Sequence, residues 1–349
     1  MSNWYYYNEN NEKVGPIRDR ELKRLAKQGT ILPETRVQDE KDRTAYAKDI
    51  KGLTFAELAL PVPFPYSTGI SVDYRDFIHP EDDVAMKRLR AVPGLQIVTK
   101  QFMKIGFESL LHGTLMATTI RLSPTQLPEL YHHLPPICRK FGIAEPEFYL
   151  EMNPVPNAYT YGDTRIFLVI TSGLLAHVKN DEELIAVLAH ECGHILCRHV
   201  LYHTMAKFIG NAALIGGILG GIGGVLLTPI QLALQYWSRR SELSADRAEL
   251  VYLGNSAPVV GALARLAGGP ATITGSINFN ELADQAQSYL DLQANSKWHK
   301  TLQTLAIMFE SHPFSSVRIH EIMKWEQSEQ YLQLRAVLNE KDADSNAVR

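Results

Sequence analysis

The chain has 349 residues, 45% apolar and 21% charged, with a formal net charge of -3. That balance marks an ordinary globular protein, long enough for more than one domain, and excludes a disordered or collagen-like chain. No basic stripe or arginine-rich tract is present, so nucleic acid is not an expected partner. The opening stretch Met1–Tyr7 lacks the basic and apolar regions of a signal peptide. A cytoplasmic location follows as the expectation, extending to the inner face of the membrane. Three cysteines, Cys138, Cys192 and Cys197, are odd in number and too few for a disulfide framework, which fits a reducing compartment.

Residues 1–60 read as a first unit. Its marks are Trp4-Tyr5-Tyr6, Gly15-Pro16-Ile17, Glu21-Leu22, Leu25, Gly29-Thr30-Ile31 and Pro33–Val37. These residues resemble a bacterial GYF-like domain, a strand–helix–strand module whose relatives receive proline-rich peptides on aromatic side chains. The resemblance implies such a peptide as a partner, because a rigid proline helix loses little entropy on docking. Tyr46-Ala47 stands where a tryptophan is usual, and the Gly-Tyr-Phe signature itself is absent. A purely structural aromatic cluster is therefore an equal alternative. Pro61-Val62-Pro63-Phe64-Pro65 opens a stiff, extended linker over 61–81.

From Ala85 to Leu115 the pattern is helical with a break at Pro93-Gly94, and Pro124 to Lys140 predicts another helix. Ile166–Thr171 is a short β-branched apolar run and predicts a strand, with Asn157-Ala158-Tyr159-Thr160 on a partner strand across a turn at Gly162-Asp163. Asn180 or Asp181 then caps a helix whose apolar stripe runs through Leu184, Val187, Leu188, Ile195 and Leu196.

That helix carries His190-Glu191-Cys192-Gly193-His194. Two histidines four apart share one helical face, so both imidazoles can reach one metal ion. The intervening glutamate can stand beside a water whose pKa the metal lowers to about 7. Gly193 costs helix stability but leaves room for close approach of backbone or substrate. His199 and His203 form a second such pair. They lie on the same helix but turned well away from His194, and Val200 stands where a glutamate is needed, so a structural or solvent-facing role is expected.

A third ligand is required for a catalytic metal with an open position. Glu242 and Asp246, four apart on a further helix, suit a ligand and a carboxylate that orients a ligating histidine, with Glu249 as a weaker alternative ligand. Between them and His194 lies Phe208–Trp237, which has no formal charge and is rich in glycine. One membrane crossing there would place His194 and Glu242 on opposite sides, and two crossings need about 40 residues. The expectation is a packed hairpin or an apolar flap over the cleft, with peripheral membrane contact through 208–237 as the other choice.

The segment from Asp82 to Glu326 resembles metallopeptidase family 48, the HtpX-like and CAAX-protease-like zinc peptidases of gluzincin type. The matching residues are Asn157–Thr160, Glu182–His194, Arg240-Ser241-Glu242 with Ala245-Asp246, and His312-Pro313 with Arg318 and Glu321. The resemblance implies one Zn2+ on His190, His194 and Glu242, Glu191 as general base and Asp246 behind the ligands. It further implies that His312 and Arg318 approach the site, to stabilise the oxyanion or cover the cleft. Substrate would bind at Asn157, Ala158 and Tyr159, on a sheet edge.

The expected fold is α+β: a small GYF-like module, then a mostly helical peptidase domain over 82–335 with a small substrate-binding sheet. A polar, disordered tail is expected over 336–349. The expected activity is that of a zinc metalloendopeptidase on polypeptide substrates. Two other readings stand beside it, a latent peptidase-fold adaptor recruiting partners through the GYF-like module and a membrane-surface peptidase acting on membrane or lipid-modified proteins.

Overall fold

The computed structural model describes residues 3–8, 12–27, 30–31, 35–54, 72–104, 106–209, 224–295 and 315–347. The proline-rich segment, His312-Pro313 and most of the glycine-rich apolar stretch lie outside these residues. The chain divides into two units, 1–62 and 63–349.

In the first unit, β1 (Asn3–Tyr7), β2 (Lys13–Arg18), β3 (Arg36–Asp39) and β4 (Thr44–Tyr46) form an antiparallel sheet of order β2-β1-β3-β4. Helix α1 (Asp19–Lys27) follows β2, with acids in its first turn and bases in its last, as the helix dipole favours. Leu22 and Ala26 of α1 close a small core with Ile31, Val37 and Ala47. Trp4 and Tyr6 pack against that core, whereas Tyr46 is exposed.

The second unit begins with helices α2 (Pro80–Arg90), α3 (Leu95–Lys104) and α4 (Phe107–Thr118). His79 caps α2 with Pro80 in the first turn. Beyond the expected break before Leu95, Gly106 in the left-handed region separates α3 from α4. After β5 (Ile120–Arg121), the helix expected over 124–140 is split into α5 (Pro128–Tyr131) and α6 (Leu134–Phe141).

Strands β6 (Glu147–Glu151), β7 (Ala158–Gly162) and β8 (Ile166–Thr171) complete a second sheet of order β5-β6-β8-β7. Strand β7 is thus an edge strand, antiparallel to β8, and Leu168 and Ile170 are fully buried. Helix α7 (Ser172–His177) leads to α8 (Asp181–Leu196) and α9 (Val200–Ile209). The remaining helices among the described residues are α10 (Gly224–Leu253), α11 (Ala257–Gly268), α12 (Ala271–Thr274), α13 (Phe279–Asn295), α14 (Ser315–Glu326) and α15 (Glu329–Ala347).

Two findings correct the sequence reading. Helix α15 runs to Ala347, so the tail expected to be disordered is helical over most of its length. No glycine or proline interrupts it, and Tyr331 and Leu338 anchor its first half in the core. The second correction is a corner after α8. Its axis meets that of α9 at 95°. The turn is a Schellman motif: Arg198 adopts φ 61°, its N–H bonds Ile195 O at 3.0 Å, and His199 N–H bonds His194 O at 2.9 Å.

The first half of α10 is part of the former apolar stretch. Its Ile230, Leu234 and Trp237 fill a satellite core with Ala85, Leu89, Val98 and Phe102 from α2 and α3, and with Met205 and Ile209 from α9. Among the described residues no single helix is long and apolar enough to cross a membrane, and only the bent pair α8–α9 passes by length and composition.

Candidate active site

Helix α8 is placed by its start. Asn180 Oδ1 accepts the Glu183 N–H at 3.0 Å, and the Glu183 carboxylate accepts the Lys179 N–H at 2.6 Å. Its far end lies directly on α10. A Cβ built on Gly193 would sit 2.7 Å from Ala248 Cβ and 3.3 Å from Ala245 Cα, so the room left by Gly193 is taken by the second helix. This close contact lets short side chains from two helices meet.

What meets there is polar and buried. His190 Nε2 lies 3.3 Å from Glu242 Oε2, and His194 Nε2 lies 3.3 Å from Glu242 Oε1. The two imidazoles stand at 90°, their centroids 4.8 Å apart. One ligand atom from each of these three residues falls within 4.8 Å of the others. Two imidazole nitrogens and a carboxylate, converging from buried side chains, are the donor set of a catalytic metal position with room for further ligands.

The surroundings fit a cation. His190 Nδ1 faces Glu249 Oε1 at 2.7 Å and Asp246 Oδ1 at 3.2 Å, which directs Nε2 toward Glu242. Burial disfavours a charged His190, but the hydrogen bonds it gives to the Asp246, Glu242 and Glu249 carboxylates outweigh it and push its pKa well up. These carboxylates thus favour positive charge where the three ligand atoms converge, a place a metal ion could fill. Burial pushes Glu249 up to about 8, whereas Asp246, buried too, is held at about 2 by the Arg318 guanidinium and His190.

Arg318 approaches from behind the ligands. Its Nε donates to Asp246 Oδ2 at 2.9 Å, its Nη2 bonds Asp246 Oδ1, and its Nη1 lies 3.1 Å from Glu242 Oε2. The guanidinium thus braces the carboxylates, a different task from the oxyanion contact named as one expectation, while the side chain also lines the cleft. His312 lies outside the described residues.

Glu191 Oε2 accepts the Thr160 hydroxyl at 2.6 Å, which ties the candidate base to edge strand β7. Asn157 pairs inward with Thr171, through Asn157 N to Thr171 Oγ1 at 2.9 Å and Thr171 N to Asn157 O at 3.0 Å. Ala158 lines the cleft with His190 and Glu191. Tyr159 points to the opposite face, where its hydroxyl donates to Glu151 at 2.7 Å. Thr160, outside the expected substrate-binding set, is the strand residue that touches the base; strand alternation from Ala158 already placed it on that face. Val187, Ala262, Leu263 and Leu266 form the apolar wall of the cleft.

Two further groups depart from expectation. Glu249 contacts His190 from the side away from Glu242, as an orienting carboxylate. The corner at Arg198 swings His199 and His203 back toward His194, so they do not turn away. His199 is buried, with Nδ1 3.0 Å from His194 Nδ1.

Comparison with known proteins agrees with this geometry. Residues 125–326 match the model of Peptidase family M48, and residues 4–44 match GYF domain 2. The plastoglobule-localized metallopeptidase 48 of Arabidopsis thaliana chloroplasts is 32% identical over 275 residues, covering 77% of this chain and 78% of that protein. A protease HtpX homolog of Desulfatibacillum aliphaticivorans is 29% identical over 224 residues, covering 57% and 69%. One from Trichormus variabilis is 27% identical over 241 residues, covering 59% and 76%. With the family model spanning more than half of its length and a buried metal-competent triad inside that span, the chain belongs to peptidase family M48, preceded by a GYF-type module.

Proposed function

We propose that the chain is a zinc-dependent endopeptidase, with His190, His194 and Glu242 holding one zinc ion and Glu191 as its general base. The observation that carries this reading is the buried convergence of the three ligand atoms beside a glutamate tied to an edge strand. Bound there, zinc would polarise a peptide carbonyl and acidify a water.

The protein's own groups do the rest. An extended peptide lies along β7, where Ala158 borders the cleft, as peptides add to exposed sheet edges. The Thr160 hydroxyl occupies one Glu191 oxygen and fixes the carboxylate's orientation. Glu191 takes a proton from the attacking water and returns it to the leaving amine nitrogen. Asp246 and Glu249 hold His190 in the tautomer that presents Nε2, and Arg318 offsets the Asp246 charge. The apolar wall of Val187, Ala262, Leu263 and Leu266 favours an apolar side chain next to the scissile bond.

Digestion of a mixed peptide library, with and without a zinc chelator, tests this. Chelator-sensitive cleavage next to apolar residues is the expected result, and chelator-resistant cleavage contradicts it.

A second reading concerns where the enzyme works. Helices of the satellite core expose Ile97 (63%), Leu110 (57%) and Leu232 (51%), large apolar groups that suit a lipid surface. Flotation with liposomes, lost on charging these positions, would place the peptidase at a membrane. The N-terminal module, on the same footing, recruits proline-rich peptides.

A further inference from the structure

His194 differs from His190 in what stands behind it. The Nδ1 of His190 meets carboxylates directly, whereas the Nδ1 of His194 meets another imidazole, His199 Nδ1, at 3.0 Å. The far side of His199 is closed by Asp82, whose Oδ2 lies 3.1 Å from His199 Nε2. Asp82 is fully buried in the first turn of α2 and accepts two more hydrogen bonds, from Trp237 Nε1 at 2.9 Å and Ser244 Oγ at 2.6 Å. Both donors sit on α10, the helix that carries Glu242.

Only one set of protons satisfies this chain. A ligating His194 presents its Nε2 lone pair to the metal, so its Nδ1 carries hydrogen. That N–H must donate to His199 Nδ1, which therefore carries none. His199 then bears its hydrogen on Nε2 and donates to Asp82, whose ionised carboxylate is an acceptor only. Each link dictates the tautomer of the next.

We infer that His199 and Asp82 are positioning residues for the metal ligand His194, a hydrogen-bonded pair that locks its tautomer and raises its basicity toward zinc. This rests on the ligand assignment proposed above. The pair reaches the ligand only because of the Schellman corner at Arg198, which places His199 beneath the end of the helix it leaves. Its anchor, Asp82, lies outside the span matched by the peptidase family model. Partners of this kind typically change metal affinity by about 10- to 100-fold.

A rival arrangement uses the same atoms. Ligand atoms of His194, His199 and His203 also fall within 4.8 Å of one another, which would admit a second metal ion. The hydrogen-bond pattern favours the relay. His203 Nε2 lies 2.8 Å from Ser241 Oγ and its Nδ1 3.2 Å from Ser238 Oγ, while His199 Nε2 is engaged by Asp82.

The test is zinc affinity of the full chain, measured by chelator competition, for wild type, His194→Ala, His199→Leu, His199→Asn and Asp82→Asn. Wild type should bind one zinc. His199→Leu and Asp82→Asn should bind it 10- to 100-fold more weakly. His199→Asn should lose less, because its amide oxygen can still accept from His194 Nδ1. Zinc retained by His194→Ala would overturn the ligand assignment and this inference together. Zinc lost by His194→Ala but held at wild-type affinity by His199→Leu and Asp82→Asn would overturn this inference alone, as would a second zinc in wild type that His199→Leu removes. Should a variant fail to fold, nitrogen NMR of the zinc-bound wild type decides. Hydrogen on His199 Nε2 supports the relay, and hydrogen on its Nδ1 contradicts it.

Discussion

Two parts of this molecule carry polar and aromatic groups that suggest function, and they hold them differently. Around α8 and α10, His190, Glu191, His194, Glu242, Asp246, Glu249 and Arg318 are all buried against one another. In the N-terminal module three contacts of the aromatic side chains lie at or near the surface: Trp4 Nε1 donates to Asp19, Lys13 sits over Tyr5, and Arg36 sits over Tyr7. Burying charge is costly unless each group is answered, so a core that keeps so many has a use for them. Surface aromatics cost little to keep and therefore say less about function.

That contrast predicts unequal responses to mutation. The largest effect belongs to the three proposed ligands: His190→Ala, His194→Ala or Glu242→Ala should each lose zinc and reduce cleavage to background, as read by elemental analysis beside a peptide assay. Arg318→Met comes next. It leaves the Asp246 and Glu242 carboxylates buried without their cation and should cost about 3–5 kcal/mol in denaturant unfolding of the metal-free chain. Gly193→Ala forces a Cβ onto Ala248 and should cost about 1–3 kcal/mol in the same experiment.

A smaller effect appears with acid. Burial alone would raise the Asp82 pKa, but His199 and the hydrogen bonds of Ser244 and Trp237 outweigh it and hold it below the ordinary 3.8. A depressed carboxylate gives its full stabilisation above its unfolded value and loses it as pH falls through the folded one. Melting temperatures of the metal-free chain should therefore fall below pH 4, and less steeply in Asp82→Asn. At the surface, Tyr46→Ala should leave peptide cleavage unchanged. A large loss of turnover there would break the contrast between the two regions.

Much of the centre was legible because chemistry forces regular spacing. The i,i+4 histidines, the Asn180 cap and the Ile166–Thr171 strand are local patterns, and each appears where its periodicity placed it. What escaped depended on geometry that no period encodes. The corner after α8 is formed by a left-handed arginine where glycine is the usual residue, so nothing in the composition announced that His199 would face His194. Glu249 and Asp246 lie three apart on one helical face, and only packing against α8 decides which of them meets His190 more closely. Thr160 was within reach of strand alternation and simply lies one step beyond Tyr159.

The most direct test of the central claim is the zinc content of Glu191→Gln measured beside its turnover. One zinc per chain with cleavage at least 100-fold below wild type is the expected result. Wild-type turnover in Glu191→Gln would contradict the role of Glu191 as the base.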